Sequence, residues 1–203
     1  MKQSDFLNII PEQYTGNELV TEVSHSLKNK EEANIFYKIA RERLLDVNNW
    51  HSIAGFISGK FQLTNDQGEN LSRYVNKGDY FKIDIPGPGS TEGEGYDWVF
   101  VEELKERDTE IMQSTGFRVR PSSNPLNDKV ETAHFYSDEG TSTFIIIRTN
   151  NIVMVQIIDS NLKPNEDIGS VTDRLRNMAV GVGALGLFSK IQWKNLADGI
   201  IKN

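Results

Sequence analysis

Residues 130–159 read VETAHFYSDEGTSTFIIIRTNNIVMVQIID. Three runs rich in β-branched and aromatic residues are separated by Asp138-Glu139-Gly140 and by Asn150-Asn151. Such residues fit a pleated, half-buried surface, and short polar links between them favour hairpins. The stretch therefore predicts an antiparallel meander with strands at 130–137, 141–149 and 152–159. Gly140 is expected to take a left-handed conformation in a three-residue link. The two asparagines tolerate positive φ and suit a two-residue hairpin. IIIR and IVMVQII are apolar on both faces, whereas a sheet with one wet face alternates more cleanly. The outer face must be covered, either by the chain itself or by a second subunit, and a homodimer is the expectation.

Upstream, period-two patterns continue. Strands are expected within IAGFISGKFQLT (53–64), at YFKIDI (80–85), at WVFVEEL (98–104) and within IMQSTGFRVR (111–120). Before them, Ala33, Phe36, Tyr37, Ala40, Leu44 and Val47 recur at spacings of three and four, with Glu31 and Glu32 in the first turn. This predicts a helix over about 30–47. Residues 1–29 read as a helical leader. Leu19, Val20, Val23 and Leu27 fit a helix face, with a strand at 18–24 as the alternative. Downstream, Ser170 caps a helix whose stripe is Val171, Leu175, Met178, Val182 and Leu185. It is expected to break near Ser189 and to continue through Trp193, Leu196, Ala197 and Ile200. Gly181, Gly183 and Gly186 weaken that helix by about 1 kcal/mol each against alanine, so they imply close helix–sheet packing or a cavity wall.

Helices first, six or seven strands next and a long helix last define an α+β chain with an antiparallel sheet. Residues 30–203 are taken as a single α+β domain. A curved sheet wrapped on the terminal helix is the economical packing. This order of elements is similar to that of the helix-grip fold found in START and Bet v 1-like proteins. The competing architecture is an SH3-like barrel over 53–120 with added helices.

The totals exclude several functions. The 203 residues carry 22 Lys and Arg against 29 Asp and Glu, a formal net charge of −7. Acidity on this scale disfavours nucleic acid as a partner. There is no cysteine, which removes disulfides, thiolate nucleophiles and Cys-based zinc sites. His25, His51 and His134 show no metal-ligand spacing, and no cofactor motif stands in the chain. No apolar run is long enough to span a membrane, and the first residues lack a signal-peptide pattern, so the cytoplasm is the expected compartment. The loop IPGPGSTEGEG (85–95) resembles a phosphate cradle only in its glycines. A strand follows it rather than a helix, and it carries Glu92 and Glu94 and no lysine. It reads as a lip between strands.

The candidate site lies on the strands. Alternation puts Arg118 and Arg120 on one face, and His134 and Tyr136 on one face of the next run. Phe144, Ile146 and Arg148 join the latter face if the hairpin has three residues. Arg118, Arg120, His134, Tyr136 and Arg148 are thus expected at the polar end of an apolar pocket, since arginine binds paired oxygens well. The rival is a solvated face on which Arg120 pairs with a nearby glutamate. Trp98, just beyond the glycine loop, and Trp50 are the aromatic candidates. The rival for Trp50, Trp98 and Trp193 is core packing. The function expected is non-enzymatic binding of a small amphipathic or acidic ligand between sheet and C-terminal helix. The alternatives are a protein–protein or structural module, and an enzyme with His134 as acid/base.

Overall fold

The structure is a computed structural model that describes residues 5–55, 59–85, 93–127, 131–165 and 182–202. In chain order the elements are β1 (Asn17–Ser26), α1 (Lys30–Leu45), a 3-10 turn (Val47–Asn49) and α2 (Trp50–Ala54). Then come β2 (Lys60–Thr64), β3 (Tyr80–Asp84), β4 (Asp97–Asp108), β5 (Met112–Pro121), β6 (Thr141–Thr149), β7 (Ile152–Leu162) and α3 (Val182–Ile200). The strands form one curved antiparallel sheet in the order β1-β7-β6-β5-β4-β3-β2. This is the helix-grip arrangement, an α+β fold closed by a C-terminal helix. β2 to β5 are continuous with the rest of the sheet, which replaces the SH3-like alternative.

Helix α1 forms where its stripe predicts. Asn29 accepts a hydrogen bond from the Glu32 amide (2.8 Å), and the acidic first turn complements the helix dipole. Ala33, Phe36, Tyr37, Ala40 and Leu44 are buried against the concave face of the sheet, where the Tyr37 hydroxyl meets Thr115 Oγ1 at 2.8 Å. Trp50 opens α2 and lies at the centre of the main core. Its indole contacts Phe61, Phe81, Phe117 and Phe144, and its Nε1 donates to the Leu44 carbonyl (3.1 Å). α2 and α3 approach so closely that a Cβ at Gly199 would stand 2.2 Å from the Ile53 carbonyl oxygen.

Three expectations are corrected. Residues 17–28 are not helical: β1 pairs along its length with β7, from Asn17 opposite Leu162 to Ser26 opposite Ile152. The helix-like spacing of Leu19, Val20, Val23 and Leu27 reflects an edge strand that buries few side chains. Among the described residues of 53–64 the strand is Lys60–Thr64, and Ile53 and Ala54 belong to α2, which Trp50 opens; residues 56–58 lie outside the described residues. Residues 131–137 are not a strand either. Tyr136 makes one isolated bridge to Pro164, and Gly140 is absent from the glycines of positive φ. The meander therefore reduces to β6 and β7, joined at Asn150 (φ 53°) and Asn151. The start of the last helix, with Ser170 and Asp173, lies outside the described residues. From Val182 its backbone runs unbroken through Ser189.

The apolar outer face is covered from within. Leu7 and Ile9 pack with Ile145, Ile147 and Ile158, and partly buried Ile10, Met112 and Met154 adjoin them. Gly116 makes the seat, since a Cβ there would lie 3.0 Å from both Leu7 and Ile9 side chains. Asn161 pins the leader from β7: its Oδ1 accepts the Tyr14 and Thr15 amides, and its Nδ2 donates to the Glu12 carbonyl. The observation that motivated a dimer is thus met by the chain's own first segment. Among the described residues, no helix is long and apolar enough to cross a membrane.

Candidate functional site

At one end of the concave face, between the sheet and α3, lies a cavity of about 40 Å³. Phe61, Phe81, Ile83, Val99, Val119 and Phe144 supply its apolar wall. The segment 134–136 closes one side, and α3 contributes Ser189, Gln192 and Trp193. A volume of this size admits roughly three water-sized groups. It falls far short of the roughly 300–1,000 Å³ that encloses a drug-sized ligand. The difference is filled by aromatic rings, with Trp50 in the middle.

The segment 131–136 is held by backbone bonds, not by a strand ladder. The Trp98 amide donates to the Ala133 carbonyl (2.8 Å), and Ala133 N donates to the Ser122 carbonyl (2.9 Å). Asn165 Nδ2 donates to the Thr132 and His134 carbonyls. This fastening buries His134. Its Nδ1 accepts the Tyr136 amide (3.0 Å), so the neutral ring carries its proton on Nε2. Burial pushes the imidazole pKa down to about 3, which leaves it uncharged at neutral pH. Burial also pushes the Tyr136 phenol up to about 12, against the opposing pull of a hydrogen bond with Ser189.

Asp159 is the charged member of the site. It stands near the end of β7, in register with Ser142 of β6, and both line the cavity. Ser142 Oγ donates to Oδ1 (2.6 Å) and Trp193 Nε1 donates to Oδ2 (2.8 Å). Burial still raises its pKa to about 6, because two neutral donors do not offset the lost hydration. Asp97, the register partner of Ile83, is also buried. Its pKa is pushed up to about 7 by burial despite a bond from the Phe135 backbone, and its Oδ2 has no partner among the described residues.

The residues singled out from the sequence fall into separate places. His134 and Tyr136 line the cavity. Arg118 and Arg120 do not; they lie on the other face of β5 from Val119 and both bond Glu102, Arg118 at 2.6 Å. Arg118 also donates to the Ile9 carbonyl, and Arg120 to the Asp138 carbonyl. Paired so, Glu102 stays below its usual pKa even though burial alone would raise it. Arg148 does share the face of Phe144 and Ile146, but at the opposite end of the sheet. There it is buried and donates to Gln113 Oε1 (2.6 Å) and the Asn150 and Glu110 carbonyls. Trp50 is core. Trp98 is 1 % exposed, and its indole donates to the Gly93 carbonyl (3.3 Å). Asp159, Ser142 and Gln192 escaped the sequence reading. The available signal was an aspartate ending the apolar run IVMVQIID, which only register could place beside Trp193. Of the glycine loop, Gly93 to Gly95 form a turn with Glu94 at φ 55° and Gly95 at φ 93°, and residues 86–92 lie outside the described residues.

The chain matches no protein-family model, and no curated protein matches it in sequence. In structure it is similar to the hypothetical protein jhp0584 from Helicobacter pylori, at 13 % identity and a TM-score of 0.47 over 90 % of this chain and 87 % of that one. It is also similar to the protein TTHA0849 from Thermus thermophilus, at 9 % identity and a TM-score of 0.43 over 91 % and 97 %. A truncated norcoclaurine synthase from Thalictrum flavum aligns at 8 % identity with a TM-score of 0.36, over 95 % of this chain and 99 % of that one.

Proposed function

We propose that this chain is a non-enzymatic binding domain that takes a small amphipathic molecule, or one end of it, between the sheet and α3. The observation that supports the reading is the cavity itself. An apolar aromatic wall converges with Tyr136, Ser142, Asp159 and Gln192 at one partly enclosed point. Burying those groups beside a void costs stability, and a bound partner recovers it. His134 contributes shape and a ring face. A base near pKa 3 is poorly matched to proton transfer at neutral pH, which weighs against an acid/base role.

The test is native mass spectrometry of gently purified protein, followed by the same measurement on Val119→Phe, which fills the cavity. A small-molecule adduct on the wild type that disappears in the variant supports the reading. A wild type that binds nothing supports a structural or protein–protein module instead, which the tight packing around Trp50 also favours.

A further inference from the structure

Among the described residues that line the cavity, Asp159 is the one ionised at neutral pH, and its charge is negative. Among its described lining residues there is no lysine or arginine. His134 and Tyr136 titrate far from neutrality on opposite sides and are both uncharged there. The described cations of β5, β6 and α3 stand elsewhere. Arg118 and Arg120 bond Glu102 across the sheet, and Arg148 is at its far end. On α3, Lys190 and Lys194 line an outer groove with Val20 and Glu22, and Lys194 pairs with Asp198. Asp159 faces Ser142 from β6 and Trp193 from α3, and β1 lies alongside it through Leu19.

Among the described residues this buried carboxylate is held by neutral donors and has no counter-ion. Each of its oxygens accepts one bond from the described residues and can accept another. The rings of Phe61, Phe81, Phe144 and Trp193 line the same space, and aromatic faces attract cations. We propose that the cavity binds the ammonium group of a small primary amine, with Asp159 as counter-ion and the aromatic wall around the alkyl carbons. This rests on the binding reading above and replaces the acidic ligand expected from the arginines. The space suits a group of about three or four non-hydrogen atoms, so a larger amine would lodge only its charged end.

The probes are propylammonium, 1-propanol and propionate, which share a length and differ in charge. Each is titrated at millimolar concentration into the full chain, and binding is followed by the NMR shift of the Trp193 indole N–H. At pH 8 propylammonium should bind at least tenfold more tightly than 1-propanol, and propionate should not bind. At pH 5, where Asp159 is mostly protonated and the amine is still charged, amine binding should weaken about tenfold while 1-propanol is unchanged. Asp159→Asn should remove the preference for the amine at pH 8. If that variant does not fold, the wild-type pH comparison decides alone. Equal binding of amine and alcohol, or tighter binding of propionate, overturns the amine assignment and leaves the binding reading intact. Silence of the Trp193 signal toward all three probes overturns both.

Discussion

Asp159 and His134 line the same cavity and load the folded state with protons in opposite senses. Asp159 rises from 3.8 to about 6 on folding, so between those values the folded chain holds a proton that the unfolded chain has lost. Its contribution to stability therefore falls as pH climbs from about 4 to about 6 and is flat above. His134 drops from 6.5 to about 3, so its contribution rises with pH over that range. Asp159→Asn deletes the falling term and leaves one oxygen for the two donors Ser142 and Trp193, a loss that does not vary with pH. The stability of the variant minus that of the wild type should rise between pH 4 and pH 6 and stay level from there to pH 8; denaturant midpoints across the range measure it. A second residue prediction concerns packing. Trp50→Ala should cost about 3–5 kcal/mol in urea unfolding, since Trp50 is fully buried among four aromatic rings.

At the scale of elements, Asn161 has the largest consequence for its size. It sits at φ 56° and ties the leader to β7 through three side-chain bonds. Asn161→Gly keeps the backbone conformation comfortable and removes those bonds. It should lower stability by about 1–3 kcal/mol and make residues 12–16 the first point of limited proteolysis. The elements themselves were unequally legible. α1 could be read because its stripe is long and buried, and the β6–β7 hairpin because Asn150-Asn151 has one obvious use. β1 could not, because an edge strand buries alternate residues too weakly to outweigh a chance helical spacing. Residues 131–136 alternate like a strand, yet their backbone partners are the Ser122 carbonyl, the β4 amide of Trp98 and the Asn165 amide. For the site, the sequence puts Arg118 and Arg120 on one face but does not say which face is concave. Only the position of Phe117 and Val119 in the core decides that the arginines look outward.

For the molecule as a whole, the first segment decides how the sheet meets water. Leu7, Ile9 and Ile10 cover Ile145, Ile147 and Ile158, and these side chains would otherwise form an apolar patch on a flat sheet face. Removing residues 1–10 should raise the association state of the chain at micromolar concentration, seen by light scattering, and increase binding of a hydrophobic dye. Full-length protein that is already a dimer by the same measurement would mean that another surface associates.

The pairing of β1 with β7 also sets a timetable. Asn17 meets Leu162 and Ser26 meets Ile152, so the first strand made cannot join the sheet until the last has been synthesised. At roughly 5–20 residues per second, the nascent β1 waits on the order of ten seconds at the ribosome without its hydrogen-bonding neighbour. Closing so long a loop costs entropy, so this pairing should form late in refolding. Until then β7 presents an open edge and Ile158 lacks its cover, which makes this interval the one in which a chaperone has most to protect.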